Sequence, residues 1–517
     1  MGDIIKRVYC KISKEDKIAF FSTFICGFFI HLYKITNYLP NHDSVYSYYT
    51  DGNMLEYGRW FLTIICRISS NFDLPWVCGL LTILYVSITA VFIVRLFNIT
   101  NKVVIALCGA ILVSYPAITD ILFYEYIADG FTFAMLLSAL AVYLIRLEKA
   151  TVWRLICSIL LICLACATYQ SYLSFALVLM ICYYIWILLT TKEETKVYAK
   201  WVIYQFICII LGVLLYYLGW KLCLIIEKSE PTSLYGIDTL GISASTILGA
   251  FRKSIATLYY YFFEQNVFTK GFTTFGFFNL LFFLCFSVII IVSIIKSKIW
   301  KNKSRILLTI LCLLVTPFAI TIWLFASPEL EYGVRMLQSV SLLFVFSIIL
   351  CNQYVKCKLS DLYALFICVT VFYYGLSANV ANYFLTMEYE TVYSEAVELK
   401  SDIKSLKKAS GENTAVAIIG TRGEGPKGYN YLLSEEDHID EIHVFAHTLE
   451  KSFLFDRKHI SGFLSKVLYY DGRFIEDVEI ENRLASTDEF KQMSCWPDEG
   501  SVQLIDDIIV IKLSDPQ

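Results

Sequence analysis

The sequence predicts a polytopic α-helical membrane protein with a small soluble α/β domain at its C-terminal end. Of its 517 residues, 57% are hydrophobic and only 17% are charged, and the mean hydropathy is +0.60. A soluble chain carries roughly a quarter charged residues, so a chain this apolar must contain long segments with almost no charge. These segments stop near residue 380. We therefore predict a transmembrane domain over 1–380 and a soluble domain over 381–517.

Eleven segments are apolar enough to cross a bilayer, whose hydrocarbon core requires roughly 20 residues per helix. The predicted spans are 18–37, 74–96, 103–119, 130–146, 153–169, 171–190, 201–222, 273–295, 306–325, 336–351 and 361–378. The first span is not expected to be a cleaved signal peptide, because its apolar part is long and no cleavage site of small residues follows it.

The basic residues are distributed unequally between the two sides of the predicted spans. The loops on the side of the N-terminus hold 20 Lys and Arg residues, whereas the opposite loops hold seven. Since cells retain Lys and Arg preferentially on the cytoplasmic side, the N-terminus is predicted to be cytoplasmic and the C-terminal domain extracytoplasmic. In that domain, 391–409 has helix-forming composition, and the segments 415–420 and 507–513 are apolar in the manner of strands.

Several functional classes are disfavoured by the composition. The net charge of −3 offers no basic surface for a nucleic acid. Most of the 17 cysteines fall in apolar segments, which is typical of small hydrophobic residues rather than disulfides. The centres of the predicted spans carry no ionisable residue, and His31, Lys34 and Lys221 are near span ends, where their side chains are expected to reach water. This pattern argues against an ion-coupled transporter.

Carboxylates gather in the predicted outward-facing loops. Asp43 follows the first span, and Glu125 and Asp129 belong to the second outward loop. Two interpretations of Asp43 are open. It can be a helix cap or a solvated loop acid, or it can deprotonate a hydroxyl at the membrane surface, where partial desolvation raises the basicity of a carboxylate.

Two arginines lie on the same outer side, against the general charge bias. Arg59 and Arg335 can each bind a phosphate through two parallel hydrogen bonds, or they can anchor lipid headgroups or pair with a nearby Glu. We favour Arg335 as the phosphate ligand because Glu329 and Glu331 are close enough in sequence to hold it. The aromatic residues around them, including Tyr57, Trp60 and Tyr124, suit an interfacial belt, and one or two of them can stack on sugar rings.

Two further patterns carry little functional information. The first, a glycine-rich segment, fits neither the Walker nor the dinucleotide-binding spacing and is predicted to be a surface loop; it contains Gly420, Arg422, Gly423, Gly425, Lys427 and Gly428. The second consists of His438, His443 and His447, which lack the thiol partners of a structural zinc site and are predicted to be solvated. No metal site is predicted.

Short motifs then point to a family. They are Asn41-His42-Asp43 after the first span, Tyr57-Gly58-Arg59-Trp60 at the end of that loop, Tyr169-Gln170-Ser171-Tyr172 between the fifth and sixth spans, and Cys495-Trp496-Pro497 and Gly500-Ser501-Val502 before the last strand. In this order and on this topology, they resemble the bacterial type II glucosyltransferases that modify O-antigen, including serotype-converting enzymes.

The resemblance implies a glycosyltransferase of the C fold class in the bacterial cytoplasmic (inner) membrane. Such an enzyme moves a glucosyl residue from a polyprenyl-phosphate donor, such as undecaprenyl-phosphate-glucose, to the O-antigen of lipopolysaccharide or another surface polysaccharide on the periplasmic face. A lipid-linked donor also suits this face, because nucleotide sugars are absent there. No cofactor is implied.

The resemblance also suggests roles for individual residues. Asp43 matches the catalytic base of the first outer loop, and Glu125 and Asp129 look like further acids of the site. We expect Arg335 and Arg59 to bind the donor phosphate. Sugar contacts are expected from Tyr57, Trp60, Tyr124 and Gln170.

Two other functions remain open from the sequence. The same loops could bind a lipid-linked glycan in a carrier or flippase, which moves its ligand without altering the acceptor. They could also serve an O-antigen polymerase, which changes chain length rather than adding a side group.

Overall fold

A computed structural model of the 517-residue chain shows a mostly helical protein. The structure describes residues 12–47, 54–146, 151–191, 195–232, 244–263, 273–327, 333–411, 413–422, 444–449, 454 and 456–515. Contacts divide the chain into two compact units, each of which is described by itself below. The first unit comprises Met1–Asn37 and Asn53–Asn379, and the second comprises Tyr38–Gly52 and Val380–Gln517.

The helices are numbered here in chain order. They are α1 (Lys14–Thr36), α2 (His42–Ser47), α3 (Leu62–Cys66), α4 (Pro75–Phe97), α5 (Lys102–Ser114), α6 (Pro116–Leu122), α7 (Glu125–Leu144), α8 (Val152–Thr168), α9 (Tyr172–Thr190), α10 (Thr195–Glu227), α11 (Ala244–Phe263), α12 (Thr274–Ser297), α13 (Lys303–Ile320), α14 (Ser341–Tyr354), α15 (Cys357–Ser410), α16 (Ala446–Leu449), α17 (Arg457–Gly462), α18 (Val478–Ala485) and α19 (Asp488–Gln492). Short 3-10 helices cover Arg67–Ser69, Ile299–Lys301, Ile322–Phe325 and Val334–Val340, and a π-helix covers Phe463–Val467.

The predicted fold class is confirmed, and every predicted span has a helix at its position. In the described residues, nine helices are long and apolar enough to cross a membrane. A tenth span is possible if α5 and α6, which meet at an angle of 44°, count as one. The remaining predicted span, 153–169, corresponds to α8, an apolar helix of 17 residues. The 20-residue helix α11 was not predicted, and neither were several shorter helices such as α3 and α18.

Local chemistry explains where several of these helices begin and bend. Ser13 and Asp16 form a reciprocal capping box at the start of α1, which satisfies two backbone amides of the first turn. Asp16 also accepts two hydrogen bonds from Arg95 at the end of α4. Pro116 ends α5, because it cannot donate the backbone hydrogen bond that would continue the helix, and it begins α6.

The first unit buries its most central helices and exposes apolar side chains on the others. Helix α14 and the 3-10 helix before it are almost completely buried. Helices α10, α12 and α13 leave many large apolar side chains exposed, such as Ile203, Phe206 and Leu284. Exposed apolar side chains on long helices suit contact with lipid tails, since the helix already satisfies its own backbone hydrogen bonds.

The second unit contains a three-stranded sheet in the order β1–β3–β2, formed by Val416–Ile419, Ile508–Lys512 and Val502–Ile505. Strand β1 is parallel to β3, and β2 is antiparallel to it. One face of the sheet packs on α15 and α17, and the other packs on α18 and α19. The helix and strands predicted for the soluble domain are therefore present.

Candidate functional site

The first loop motif, Asn41-His42-Asp43, begins α2 in the second unit. The Asn41 side-chain oxygen accepts hydrogen bonds from the backbone N–H and the hydroxyl of Ser44, and the Ser44 hydroxyl accepts one from the backbone N–H of Asn41. This arrangement caps the helix. The residue that caps this helix is therefore Asn41 and not Asp43.

Asp43 lies beside a buried histidine. The His42 Nε2 atom is 3.3 Å from Asp43 Oδ1, and the His42 side chain is only 7% exposed. The Asp43 side chain is 42% exposed. A carboxylate that is held on one side and open to solvent on the other can accept a proton from an incoming hydroxyl.

The end of the first loop, Tyr57-Gly58-Arg59-Trp60, lies in the first unit and is tied to Gln170. Gln170 Nε2 donates to the Tyr57 carbonyl at 2.6 Å and contacts the Tyr216 hydroxyl at 3.0 Å. Gly58 has φ of +80°, and a Cβ there would be 2.5 Å from the Tyr216 hydroxyl. Glycine is required at this position for both reasons.

Arg59 is surrounded by aromatic rings. Its guanidinium carbon lies 4.7 Å from the Tyr169 ring centroid and 6.0 Å from that of Phe131, and these two rings stack on each other at 4.1 Å. Within the described part of the chain, buried Arg59 Nε has no hydrogen-bond partner, and neither has buried Trp60 Nε1. These two N–H donors are therefore available to a ligand.

Glu125 and Lys34 form a buried ion pair in the first unit. Lys34 Nζ is 2.9 Å from Glu125 Oε1, and the two side chains are 1% and 2% exposed. The prediction that Lys34 reaches water is wrong, and so is the same prediction for His31, which is fully buried and contacts the Val113 carbonyl. Lys34 remains buried because Glu125 supplies the compensating charge.

Asp129 lies one turn after Glu125 on α7 and is also buried. Its Oδ1 atom has no hydrogen-bond partner among the described residues. The sequence predicted that Glu125 and Asp129 lie in a loop, but both belong to the first turns of α7. A helix start favours acidic residues through its dipole, which helps to explain why this helix begins before its apolar part.

Arg335 is held by Asp120. The Arg335 backbone amide and Nη1 donate to Asp120 Oδ2 at 2.9 and 3.2 Å, and its guanidinium carbon lies 4.2 Å from the Tyr124 ring centroid. Asp120 is completely buried, whereas the Arg335 side chain is 21% exposed. Glu329 and Glu331 lie outside the described residues.

Asp120 belongs to the predicted second outward loop, but the sequence analysis did not identify it as the partner of Arg335. Its partner is 215 positions away, so no local pattern could indicate the pair. The Tyr115-Pro116 dipeptide was the available signal, because a proline there ends one helix and sets the direction of the next, which carries Asp120.

In the first unit, the structure thus groups most candidate residues near the start of α7. Tyr124 contacts Arg335, Glu125 pairs with Lys34, and Arg59 lies near Phe131 on the same helix. Asp43 belongs to the second unit with His42.

The structure describes only a small part of the glycine-rich segment and of the histidine group. Arg422 makes two hydrogen bonds with Glu395 instead of facing a ligand. The glycine-rich segment from Gly423 onward, His438 and His443, and the side chain of His447 lie outside the described residues. Among the residues that are described, no three His, Cys, Asp or Glu side chains converge in a way that could hold a metal ion.

The fold and the candidate site define a multi-pass helical membrane protein with acidic and basic groups at its helix ends and a soluble α/β unit. The family model described as glucosyl transferase GtrII matches residues 32–352, which is more than half of the chain. The chain therefore belongs to this family, as the sequence motifs predicted, and the membership implies glucosyltransferase activity. A search of curated proteins gave no match, and a search of solved structures gave none either.

The matched region includes all the candidate residues described above, from Lys34 to Arg335. It also includes Asn41-His42-Asp43. Most of the second unit, including the whole sheet, lies beyond residue 352.

Proposed function

We propose that this protein transfers a glucosyl residue from a polyprenyl-phosphate-linked donor, of the undecaprenyl-phosphate-glucose type, to the O-antigen or another surface polysaccharide. The reaction takes place on the periplasmic face of the bacterial cytoplasmic membrane, with the N-terminus in the cytoplasm. In a bacterium with a variable O-antigen, the added glucose changes the serotype. The family supports the glucosyl transfer, and the unequal distribution of Lys and Arg between the loops supports the orientation.

The observation that carries the mechanism is the environment of Asp43. Its carboxylate is 42% exposed and lies against the buried ring of His42. We assign Asp43 as the general base. It accepts the proton of an acceptor hydroxyl while the hydroxyl oxygen attacks the anomeric carbon of the donor, and the bond from that carbon to the phosphate oxygen breaks.

The departing lipid phosphate requires a cation, and two arginines of the first unit suit that role. Arg335 has Asp120 on one side and keeps part of its side chain exposed. Arg59 has a buried N–H donor without a partner in the described residues. Guanidinium groups bind phosphate through parallel hydrogen bonds, which strengthen as negative charge develops on the leaving group.

The sugar rings require flat apolar surfaces with nearby donors. Tyr57, Trp60 and Tyr124 offer such rings, and we assign them to sugar contacts together with Gln170. Gln170 also donates to the Tyr57 carbonyl, a contact that helps to hold the loop that carries Arg59 and Trp60. Glu125 and Asp129 are assigned as further acids near this group.

A second candidate function is a carrier for lipid-linked glycans. The buried Lys34–Glu125 pair and the buried Asp129 favour it, since ionisable groups inside membrane helices often mark transport pathways. The family membership favours the transferase instead.

Mass spectrometry of the surface polysaccharide, from cells with and without the protein, separates the two functions. A transferase adds one hexose to each repeat unit. A carrier changes the amount of polysaccharide and leaves the repeat mass unchanged, and a polymerase changes the chain length. Cells that produce the Asp43→Asn protein at normal levels serve as the control, and their repeat unit is expected to lack the added hexose.

A further inference from the structure

Two histidine–carboxylate contacts meet in the second unit, and the mechanism above uses only one of their four side chains. The first is His42 with Asp43, at 3.3 Å. The second is His459 with Asp456, whose Oδ1 atom is 2.7 Å from His459 Nδ1. The two imidazole rings face each other, with centroids 6.1 Å apart and planes inclined by 39°. These contacts link Asp43 to His42, His42 to His459, and His459 to Asp456.

The His459–Asp456 pair is rigidly built. Asp456 caps α17, and its Oδ1 atom accepts a hydrogen bond from the His459 backbone amide as well as contacting the ring. Burial alone would raise the pKa of Asp456, but these contacts with His459 lower it below its usual value of 3.8. The carboxylate thus stays charged and fixes the ring that lies against His42.

Exposure falls from the outside of this arrangement towards its centre. The side chains of Asp43 and Asp456 are 42% and 30% exposed, whereas those of His42 and His459 are 7% and 16% exposed. Such a gradient suits a support for a reacting group: the inner rings are held by packing, and the outer carboxylate keeps its access to an acceptor.

We propose that His42, His459 and Asp456 are positioning residues that hold the Asp43 carboxylate in its reactive orientation. His42 acts on Asp43 directly, and His459 and Asp456 act through His42. The proposal rests on the assigned role of Asp43, and it gives the C-terminal part of the chain a function in catalysis. Asp456 and His459 lie outside the region that the family model matches.

The other charged groups near this arrangement come from the elements that pack on α2, which are α17 and the π-helix Phe463–Val467. Helix α17 carries Arg457 and Lys458 beside His459, and Arg457 pairs with Glu481. The π-helix carries Lys466, whose pKa is lowered by burial. The variants below leave these groups in place.

The test compares the pH profile of glucosyl transfer for the full-length protein in membranes and for two variants, His42→Ala and His459→Ala. The His42 ring, whose Nε2 atom is 3.3 Å from Asp43 Oδ1, favours the charged form of Asp43, so the loss of this contact makes the base harder to ionise. We expect the acid limb of the kcat profile to move to higher pH, by about one unit for His42→Ala and by less for His459→Ala. A loss of folded protein would lower the profile at every pH without moving its limb.

Asp488→Asn is the matched control. Asp488 pairs with Lys491 at the same i,i+3 spacing as Asp456 with His459, but both side chains are exposed on α19. Its profile is expected to coincide with that of the wild type. If the acid limb stays in place in both histidine variants while Asp43→Asn is inactive, this proposal is overturned and the proposed function remains intact. A fully active Asp43→Asn would overturn both.

A measurement that does not depend on enzymatic activity tests the contact between His42 and His459. The chain has six histidines, so ¹⁵N-histidine spectra of the detergent-solubilised protein are simple enough to assign by substitution. We expect His459→Ala and Asp456→Asn to move the His42 resonances between about pH 5 and 8, the range in which histidines titrate. Unchanged His42 resonances in both variants would exclude any action of His459 through His42.

Discussion

Two carboxylates of the first unit and Asp43 of the second unit lie in different environments. In the first unit, Glu125 and Asp120 are buried, and each has a basic partner, Lys34 or Arg335. In the second unit, Asp43 keeps 42% of its side chain exposed and has a histidine beside it. The first arrangement stabilises charge inside the protein, whereas the second leaves a carboxylate partly exposed to solvent, as the proposed general base requires.

This difference in burial predicts whether substitution of a carboxylate or its partner affects stability or reaction rate. A buried ion pair has lost the hydration of both charges, so removal of one member leaves the other uncompensated and destabilises the fold. A half-exposed carboxylate can be replaced at little cost in stability, because water takes over its contacts. Substitutions in the two units should therefore separate stability from reaction rate.

The largest expected effect concerns rate. Asp43→Asn keeps the size of the side chain and removes its basicity, and a general base contributes about 10²–10⁴-fold to a rate. We expect glucosyl transfer in membranes to fall by about that factor at a normal protein level. Glu56→Gln, in the same loop, is the control, because Glu56 Oε1 merely accepts a hydrogen bond from Ser229. Full activity of Asp43→Asn would break the comparison between the units.

The next effect concerns stability. Lys34→Met leaves Glu125 buried without its partner, which should cost about 3–5 kcal/mol of folding free energy. The double variant Lys34→Met/Glu125→Leu removes both charges, and we expect it to recover most of the loss. Thermal unfolding of the purified protein in detergent measures both. If the single and double variants unfold at the same temperature, the pair does not stabilise the first unit in the way proposed here.

Much of the fold could be predicted from the sequence because apolar segments are a local property. All eleven predicted spans have a helix, and both predicted strands are present. The predicted ends of the spans were less accurate. Glu125 and Asp129 lie inside α7, because a carboxylate can be buried in an apolar environment when a basic partner or a helix dipole stabilises its charge. Counting apolar residues does not reveal such a partner.

The pairs of the candidate site could not be predicted, because they join residues that are far apart in the chain. Two such contacts, Arg335 with Asp120 and His42 with His459, depend on how the helices pack. The periodicity of the sequence does not indicate this packing. The individual residues were easier to find. Asp43, Arg59 and Gln170 belong to short motifs whose order resembles the family, and the family membership is confirmed. Their catalytic roles and the domain limits stay predictions.

A smaller loss of stability is expected from a substitution at Gly58, in the first loop of the chain. Gly58→Ala places a Cβ in a backbone conformation with φ of +80° and within 2.7 Å of Gln170 Nε2, so we expect a loss of about 1–3 kcal/mol in stability. Gly249→Ala is a matched control in α11, because a Cβ there meets no atom within 4 Å. It should be neutral or slightly stabilising, since alanine favours a helix over glycine. Equal unfolding temperatures for the two variants would contradict the role of Gly58.

The smallest expected effect is a pH-dependent change in the stability of α17, in the second unit. Because the pKa of Asp456 is lowered in the folded protein, its ionised form contributes stability above the usual value of 3.8, and this contribution is lost as the pH falls through the lowered pKa. Asp456→Ala also removes the cap of α17, which is worth about 1 kcal/mol. Hydrogen exchange of the full-length protein should therefore show weaker protection of α17 in Asp456→Ala at pH near 7, and the difference from the wild type should shrink in strong acid. A difference that persists unchanged at low pH would mean that the charge of Asp456 does not stabilise this helix, and Asp43 would then lack a charged support behind its histidines.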